Sequence, residues 1–241
     1  MQHWEPLCPG GLSFVCDGGL FRPGTDSFLL GSFPRLKPGL RVCDLGSGTG
    51  LLGLLLLQRQ RELSVTGVEL LPEAVRLAEQ AAARNGLTDR LIFRQGDLRD
   101  IRGLLPAGGF DLVVCNPPYY PAGSGRLPET EALRAARSET GCTLEDVCAA
   151  AAWLLRWGVS FCLVHKPERL ADLCCALRAQ GLEPKRLRLV CHGPASSPSL
   201  VLAEGRRGGK PGLRLEPPLV LHGPDGSDTP ELRRIYFRDL P

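Results

Sequence analysis

The stretch Val42-Cys43-Asp44-Leu45-Gly46-Ser47-Gly48-Thr49-Gly50 constrains this chain more than any other. An apolar run of strand length passes through an acidic residue into three alternating glycines, and a leucine-rich segment follows at once. Glycine is needed where backbone turns tightly or approaches a ligand, because it has no Cβ to obstruct either. Such a turn between a buried strand and a buried helix opens a β-α-β unit. The spacing is Gly-x-Gly-x-Gly; a dinucleotide turn takes Gly-x-Gly-x-x-Gly, and Leu51 follows Gly50 here. No Gly-Lys-Ser/Thr follows, which argues against a phosphate loop. A generic turn is the alternative reading of the glycines.

The alternation continues downstream. Arg41 to Leu45, Ser64 to Glu69, Leu91 to Arg94, Phe110 to Cys115 and Val159 to Val164 read as strands. Thr49 to Arg59 reads as a buried helix, since it is nearly all apolar, and Pro72 to Asn85 as a helix with Pro72 in its first turn and Gly86 past its end. Thr143 opens another to about Arg156, with Asp146 as a capping-box partner, and Pro167 to Ala179 ends at Gly181. Lys185 to Val190 and Leu200 to Ala203 are expected to form a terminal hairpin. A short helix is expected from Asp26, capped by Thr25 or Asp26 itself, and residues 205–230 are expected to be irregular, with Leu213-Arg214-Leu215 and Leu219-Val220-Leu221 as short extended pieces. With 241 residues and 43% hydrophobic content, this predicts one α/β domain built on a doubly wound, mainly parallel sheet. The expected division is an N-terminal segment at 1–40 that lids a cofactor pocket, a catalytic domain at 41–204, and a basic, irregular tail at 205–241.

Ten cysteines are numerous enough to suggest disulfides, but most, including Cys43, Cys115, Cys162, Cys174 and Cys175, sit in apolar runs. No Cys-x-x-Cys pair occurs and no secretory start is visible, so buried thiols in a reducing cytoplasm are expected, with no metal site. No apolar run is long enough to span a bilayer. The net charge of +3 and pI near 8.4 are too weak alone to argue for nucleic acid. Arg206, Arg207 and Lys210, with Lys185, Arg186 and Arg188, make the one dense basic region, a candidate for holding phosphates; a solvated face is the alternative.

Glu69 ends the second strand of the alternation, about 20 residues past Gly50, where a carboxylate commonly accepts from both ribose hydroxyls. Asp97, just past the third strand, is placed to accept from an adenine amine; a helix cap is its alternative role. The glycines with Glu69 and Asp97 at successive strand ends resemble the class I methyltransferase fold. That resemblance implies S-adenosylmethionine as cofactor, a seven-stranded mixed sheet whose last strands are antiparallel, and a role for Asp44 in orienting the methionine moiety, with Gly46, Ser47, Gly48 and Gly50 lining the site.

The strand Phe110 to Cys115 runs directly into Asn116-Pro117-Pro118-Tyr119. Prolines lock the backbone and remove donors, so acceptors remain, and the Asn116 amide oxygen is another. A rigid site that accepts both hydrogens of a planar amine frees the nitrogen lone pair for attack on a methyl sulfonium. Tyr119 offers a face for an extruded base to stack on. This motif resembles that of amino methyltransferases acting on adenine N6, cytosine N4 or glutamine N5, and implies that Asn116 also borders the cofactor.

Phe21-Arg22-Pro23-Gly24-Thr25-Asp26-Ser27-Phe28-Leu29-Leu30, Ala136-Arg137-Ser138-Glu139, Val164-His165-Lys166-Pro167-Glu168-Arg169-Leu170 and Arg206-Arg207-Gly208-Gly209-Lys210-Pro211-Gly212-Leu213 recur in one order. Together they resemble the bacterial family that methylates N6 of the adenosine 3′ to the anticodon of a valine tRNA. The family often has His at Ser138 and Tyr at Asp228. The resemblance implies a tRNA substrate, a cytoplasmic enzyme that is a monomer or weak homodimer, and substrate contacts from Asp26, Arg137, Arg206, Arg207 and Lys210. Arg137 and Glu139 pairing on a helix surface is the bland alternative. The rival functions are a release-factor glutamine-N5 methyltransferase, disfavoured by the short segment before Arg41; another rRNA or DNA amino methyltransferase; a non-catalytic binding module; and an NAD oxidoreductase.

Overall fold

The computed structural model describes residues 2–17, 24–117 and 142–239. Seven long strands form the main sheet: β3 (Arg41–Leu45), β4 (Ser64–Glu69), β5 (Leu91–Gln95), β6 (Phe110–Cys115), β7 (Leu155–His165), β8 (Leu182–Cys191) and β9 (Pro198–Arg207). Two short strands, β10 (Arg214–Leu215) and β11 (Leu219–Val220), each pair with β8. The order is β10-β8-β9-β7-β6-β3-β4-β5. All pairings are parallel except those of β9 with β7 and β8, so the sheet is doubly wound with an antiparallel hairpin inserted beside β7.

Alternate residues along β3 feed two cores. Val42 faces the one that includes α2 (Leu51–Arg59) and α3 (Pro72–Arg84); Cys43 and Leu45 face the other, which includes α4 (Ile101–Leu104), α5 (Leu144–Leu154) and α6 (Leu170–Ala179). Leu51 to Leu57 are all buried, although a helix on a sheet ordinarily shows one face to water. Its outer side is covered by α1 (Thr25–Ser32) and by a separate hairpin of β1 (Gln2–Pro6) and β2 (Ser13–Asp17). Asn85 fastens that hairpin to the end of α3, accepting from Ser13 N and donating to Ser13 O. The hairpin was not expected from the sequence.

Helix α5 starts where expected, with Thr143 and Asp146 forming a reciprocal capping box. Helix α1 begins at Thr25 with Gly24 as its cap, and no side chain caps it, so neither Thr25 nor Asp26 has the capping role expected. Strand β9 runs well beyond Leu200–Ala203, because Glu204 is buried against Arg186 of β8 at 2.8 Å and accepts from Ser160 of β7 at 2.7 Å. The two short extended pieces expected beyond it are present as β10 and β11, with irregular chain between and after them. After β11, Thr229 caps α7 (Pro230–Ile235), and Leu219, Leu221, Leu232, Ile235 and Phe237 join the first core. All ten cysteines are free thiols and most are buried, but Cys174 is only half-buried and Cys175 is exposed, against their apolar sequence context. No helix among the described residues is long and apolar enough to cross a membrane.

Candidate active site

Strand register brings the expected cofactor and catalytic residues to one edge. Leu45 lies level with Val68 on one side and Cys115 on the other. The next residues along, Gly46, Glu69 and Asn116, therefore emerge side by side at the carboxyl ends of β3, β4 and β6. The chain leaves β3 toward β4 and returns from β5 to β6 on the opposite flank. Open α/β sheets take ligands in the crevice where the winding reverses in this way.

The glycine turn is built from positive φ angles: 69° at Gly46, 54° at Gly48 and 81° at Gly50. A side chain at Gly50 would be strained by that angle and would also place Cβ 2.8 Å from Phe93 Cζ. The turn is tied to β4. Gly46 N and Ser47 N donate to Val68 O, and Gly48 N donates to Glu69 Oε2 at 2.9 Å. The other Glu69 oxygen accepts from Leu71 N at 2.9 Å, at the entry to α3. One buried carboxylate thus fixes both the glycine turn and the next helix, and each oxygen retains a second lone pair.

Asp44 is 1% exposed. It accepts from the Gly53 amide in the first turn of α2, while its Oδ2 has no partner among the described residues. The buried Ser47 hydroxyl has none either. Burial pushes the Asp44 carboxyl well above the ordinary carboxylate range, and the Glu69 charge raises it further. Two buried carboxylates with an orphaned oxygen make a well for a cation. S-adenosylmethionine carries a sulfonium and an ammonium and fits this donor set; the anionic pyrophosphate of a dinucleotide does not.

Asn116 is half-buried one residue beyond β6. Its Nδ2 donates to Ser27 Oγ of α1 at 3.1 Å. That bond ties the carboxamide to α1 across the end of β6. Pro117 is buried directly behind it. Sequence reasoning missed Ser27, although it stands inside the Thr25-Asp26-Ser27 stretch; a short helix ahead of the first sheet strand gives no sign of reaching the end of β6.

A family model for a methyltransferase domain matches residues 36–183. A tRNA1(Val) (adenine(37)-N6)-methyltransferase from Porphyromonas gingivalis is 31% identical over 226 residues, which cover 90% of this chain and 88% of that protein. The chain belongs to this methyltransferase family. A member from Tolumonas auensis is 32% identical over 209 residues, 86% of this chain and 85% of that protein. Among solved structures, a predicted O-methyltransferase from Agrobacterium tumefaciens superposes with a TM-score of 0.72 at 21% identity, covering 88% of this chain and 96% of that one. That likeness establishes the class I methyltransferase fold. The relatives carry the adenine-N6 name, so the release-factor reading is not favoured.

The remaining expected site residues divide between this edge and the opposite one. Asp97 lies two residues past β5 and caps a 3₁₀ turn, accepting from Arg99 N and Nε at 2.9 Å each. The Arg99 guanidinium holds its carboxyl below the usual value, so the capping alternative describes its contacts here. Arg206 and Arg207 sit at the far end of β9: Arg206 is level with Ser160 midway along β7, whereas Val201 is level with His165 at its end. Five residues of strand separate them from the Asn116 edge by ~17 Å at ~3.4 Å each. Arg207 donates to Trp153 O and Leu155 O, and Lys210 O accepts from Lys185. Arg186 is buried against Glu204 and Phe33, and Arg188 grips Glu231. The dense basic region is largely internal bracing. Pro118, Tyr119 and Arg137 lie outside the described residues.

One trio of potential metal ligands occurs among the described residues, His3, Glu5 and Cys16 on the β1–β2 hairpin, away from the sheet edge. His3 Nε2 and Glu5 Oε1 already bond at 2.8 Å, and burial with the Glu5 charge pushes the Cys16 thiol up to about 11.

Proposed function

We propose that the chain transfers a methyl group from S-adenosylmethionine to N6 of adenosine 37 in a valine tRNA, the activity for which its relatives are named. The observation that carries the reading is the Asn116 carboxamide, set beside the glycine turn and oriented by Ser27. Bound S-adenosylmethionine would supply the methyl as an electrophile, the S–C bonding pair staying with sulfur as the leaving group. Asp44 would meet its ammonium, and Glu69 would use its remaining lone pairs on the ribose hydroxyls while holding Gly48 and Leu71.

Asn116 Oδ1 and the Pro117 carbonyl accept the two hydrogens of the target amine. Both acceptors are preorganised, so they stabilise positive charge on nitrogen as the bond to carbon forms, without rearrangement. The methylated amine held by Asn116 and Pro117 would release one proton to water. Tyr119 is assigned the stacking role. No general base with a tuned pKa is required, because positioning supplies most of the acceleration.

The test is mass spectrometry of nucleosides from an unmodified anticodon stem-loop incubated with protein and labelled cofactor. N6-methyladenosine at the loop adenosine is expected. Label in protein glutamine, or in cytidine, with none in adenosine, overturns the assignment.

A further inference from the structure

A cleft of about 360 Å³ opens at the same carboxyl edge, beyond β7, β8 and the start of β9. It is lined by Thr25 and Asp26 of α1, by Lys166, His192 and Ser199 at the strand ends, and by the C-terminal segment from Leu221 to Arg238. Asp26 adjoins Ser27, the partner of Asn116, and Lys166 follows the strand next to that of Asn116. The cleft therefore lies beside the end of β6 that carries Asn116 and extends along the edge toward β8.

Its polar groups are organised. Asp228 lies 3.2 Å from His222 Nδ1 and pairs with the Arg238 guanidinium through its other oxygen. That guanidinium also lies over the Tyr236 ring, 5.0 Å from its centroid, and Tyr236 stacks on Phe28 of α1 with centroids 4.5 Å apart. One edge of Arg238 is thus held by a carboxylate and its face by an aromatic ring, and a guanidinium has five donors, more than these contacts use. His165, buried at the end of β7, accepts from Lys166 N at 2.8 Å and fixes the backbone that carries the Lys166 side chain. Fixed cations, imidazoles and a carboxylate at Asp26 are the complement of a phosphate, a ribose and a base edge.

We infer that this cleft binds the ribonucleotide adjoining the methylated adenosine, with Arg238 and Lys166 on its phosphate and Asp26 on its base or ribose. The inference rests on the proposed RNA substrate. It assigns strand contact to the cleft and none to Arg206 and Lys210 on the opposite edge.

The experiment compares Lys166→Gln/Arg238→Gln with Arg206→Gln/Lys210→Gln, using the full chain and an anticodon stem-loop with one loop adenosine. The cleft pair is expected to raise the RNA KM about 10-fold, keep kcat at saturating RNA within about twofold, and lower the salt slope of RNA binding by roughly 0.7 for each single-strand phosphate left without its cation. The far-edge pair is expected to leave both unchanged. Unaltered S-adenosylhomocysteine affinity verifies that each variant is folded, and Lys166→Gln alone, which leaves the Arg238–Asp228 pair intact, is expected to show about half the logarithmic effect. Wild-type KM and salt slope in the cleft pair, or an equal loss in the far-edge pair, overturns the inference. If wild-type protein methylates no adenosine, the proposed function fails, and RNA anisotropy still decides the cleft: loss of binding in the cleft pair alone supports it.

Discussion

Replacing Asp44 with Asn should make the ligand-free protein more stable and a poorer binder of its cofactor. Asp44 is fully enclosed, with one oxygen satisfied by the Gly53 amide, the other unpartnered, and Glu69 close enough to add repulsion. Burial holds its folded pKa well above the ordinary 3.8. Between the unfolded and folded values the folded state therefore binds more protons than the unfolded one, so stability falls as pH rises through that window. The penalty is absent below about pH 4 and complete above the folded pKa. Asn keeps an oxygen for Gly53 and removes the charge. Removal of the buried charge is worth about 1–3 kcal/mol net of the Asn amide left without an acceptor where Oδ2 stood. At ~2–4 °C per kcal/mol for a chain of this size, Tm should rise by roughly 2–12 °C at pH 7.5 and hardly at all at pH 4. Scanning fluorimetry across that range measures the difference. Calorimetry should show affinity for S-adenosylmethionine lower by at least about tenfold, which corresponds to ~1.4 kcal/mol. A variant less stable than wild type at pH 7.5 refutes the uncompensated charge, and unchanged affinity refutes the cation well.

Asn116→Ala should lower kcat about 10²–10³-fold in single-turnover methylation with little change in KM, as loss of one preorganised dipole does elsewhere. Ser27→Ala should reduce kcat by a smaller factor, about 3–30-fold, because it frees the carboxamide to rotate without removing it; an unchanged kcat would remove Ser27 from the mechanism. Gly67→Ala would place Cβ 2.5 Å from Phe93 Cδ1 and 2.6 Å from Ser47 Oγ, so urea unfolding should register a loss of about 1–3 kcal/mol together with weaker S-adenosylhomocysteine binding. Arg186→Met strands Glu204 in the β8–β9 interior and should cost about 3–5 kcal/mol, much of it recovered in Arg186→Met/Glu204→Gln. Failure of that recovery would mean that packing against Phe33, not charge, holds Arg186.

The central β-α units were legible because each carries its own local chemistry. The apolar run of β3, the glycines, and the proline at the start of α3 state their conformations within a few residues, and the observed bounds of β3, β4 and β6 coincide with the expected ones. Asp44 and Glu69 were legible because the strand-loop-helix pattern places the residue before the glycines and the next strand's last residue at one edge. What failed depended on partners distant in sequence. The β1–β2 hairpin gains its stability from α2 and α3, not from its own short strands. Strand β9 looked truncated because Glu204 reads as a surface residue until Arg186 is known to lie across from it.

The basic stretch shows the same dependence at the level of topology. In a parallel sheet every strand delivers its last residues to the carboxyl edge, so cations just past a strand are read as neighbours of the site. Strand β9 alone runs the other way. Its first residues, Ser199 and Leu200, reach the cleft, and its last, Arg206 and Arg207, are carried to the opposite edge. The chain regains the functional edge only after β11, which pairs parallel to the end of β8 at Val190 and Cys191. From there Leu221 to Arg238 lie along the cleft, with Thr229 capping α7 and Leu232 and Ile235 anchoring it in the core. The reversal that carries Arg206 and Arg207 to the opposite edge is followed by a C-terminal segment that brings Arg238 to the cleft. Arg238, held by Asp228 and Tyr236, is the cation whose loss should be felt most directly in RNA binding.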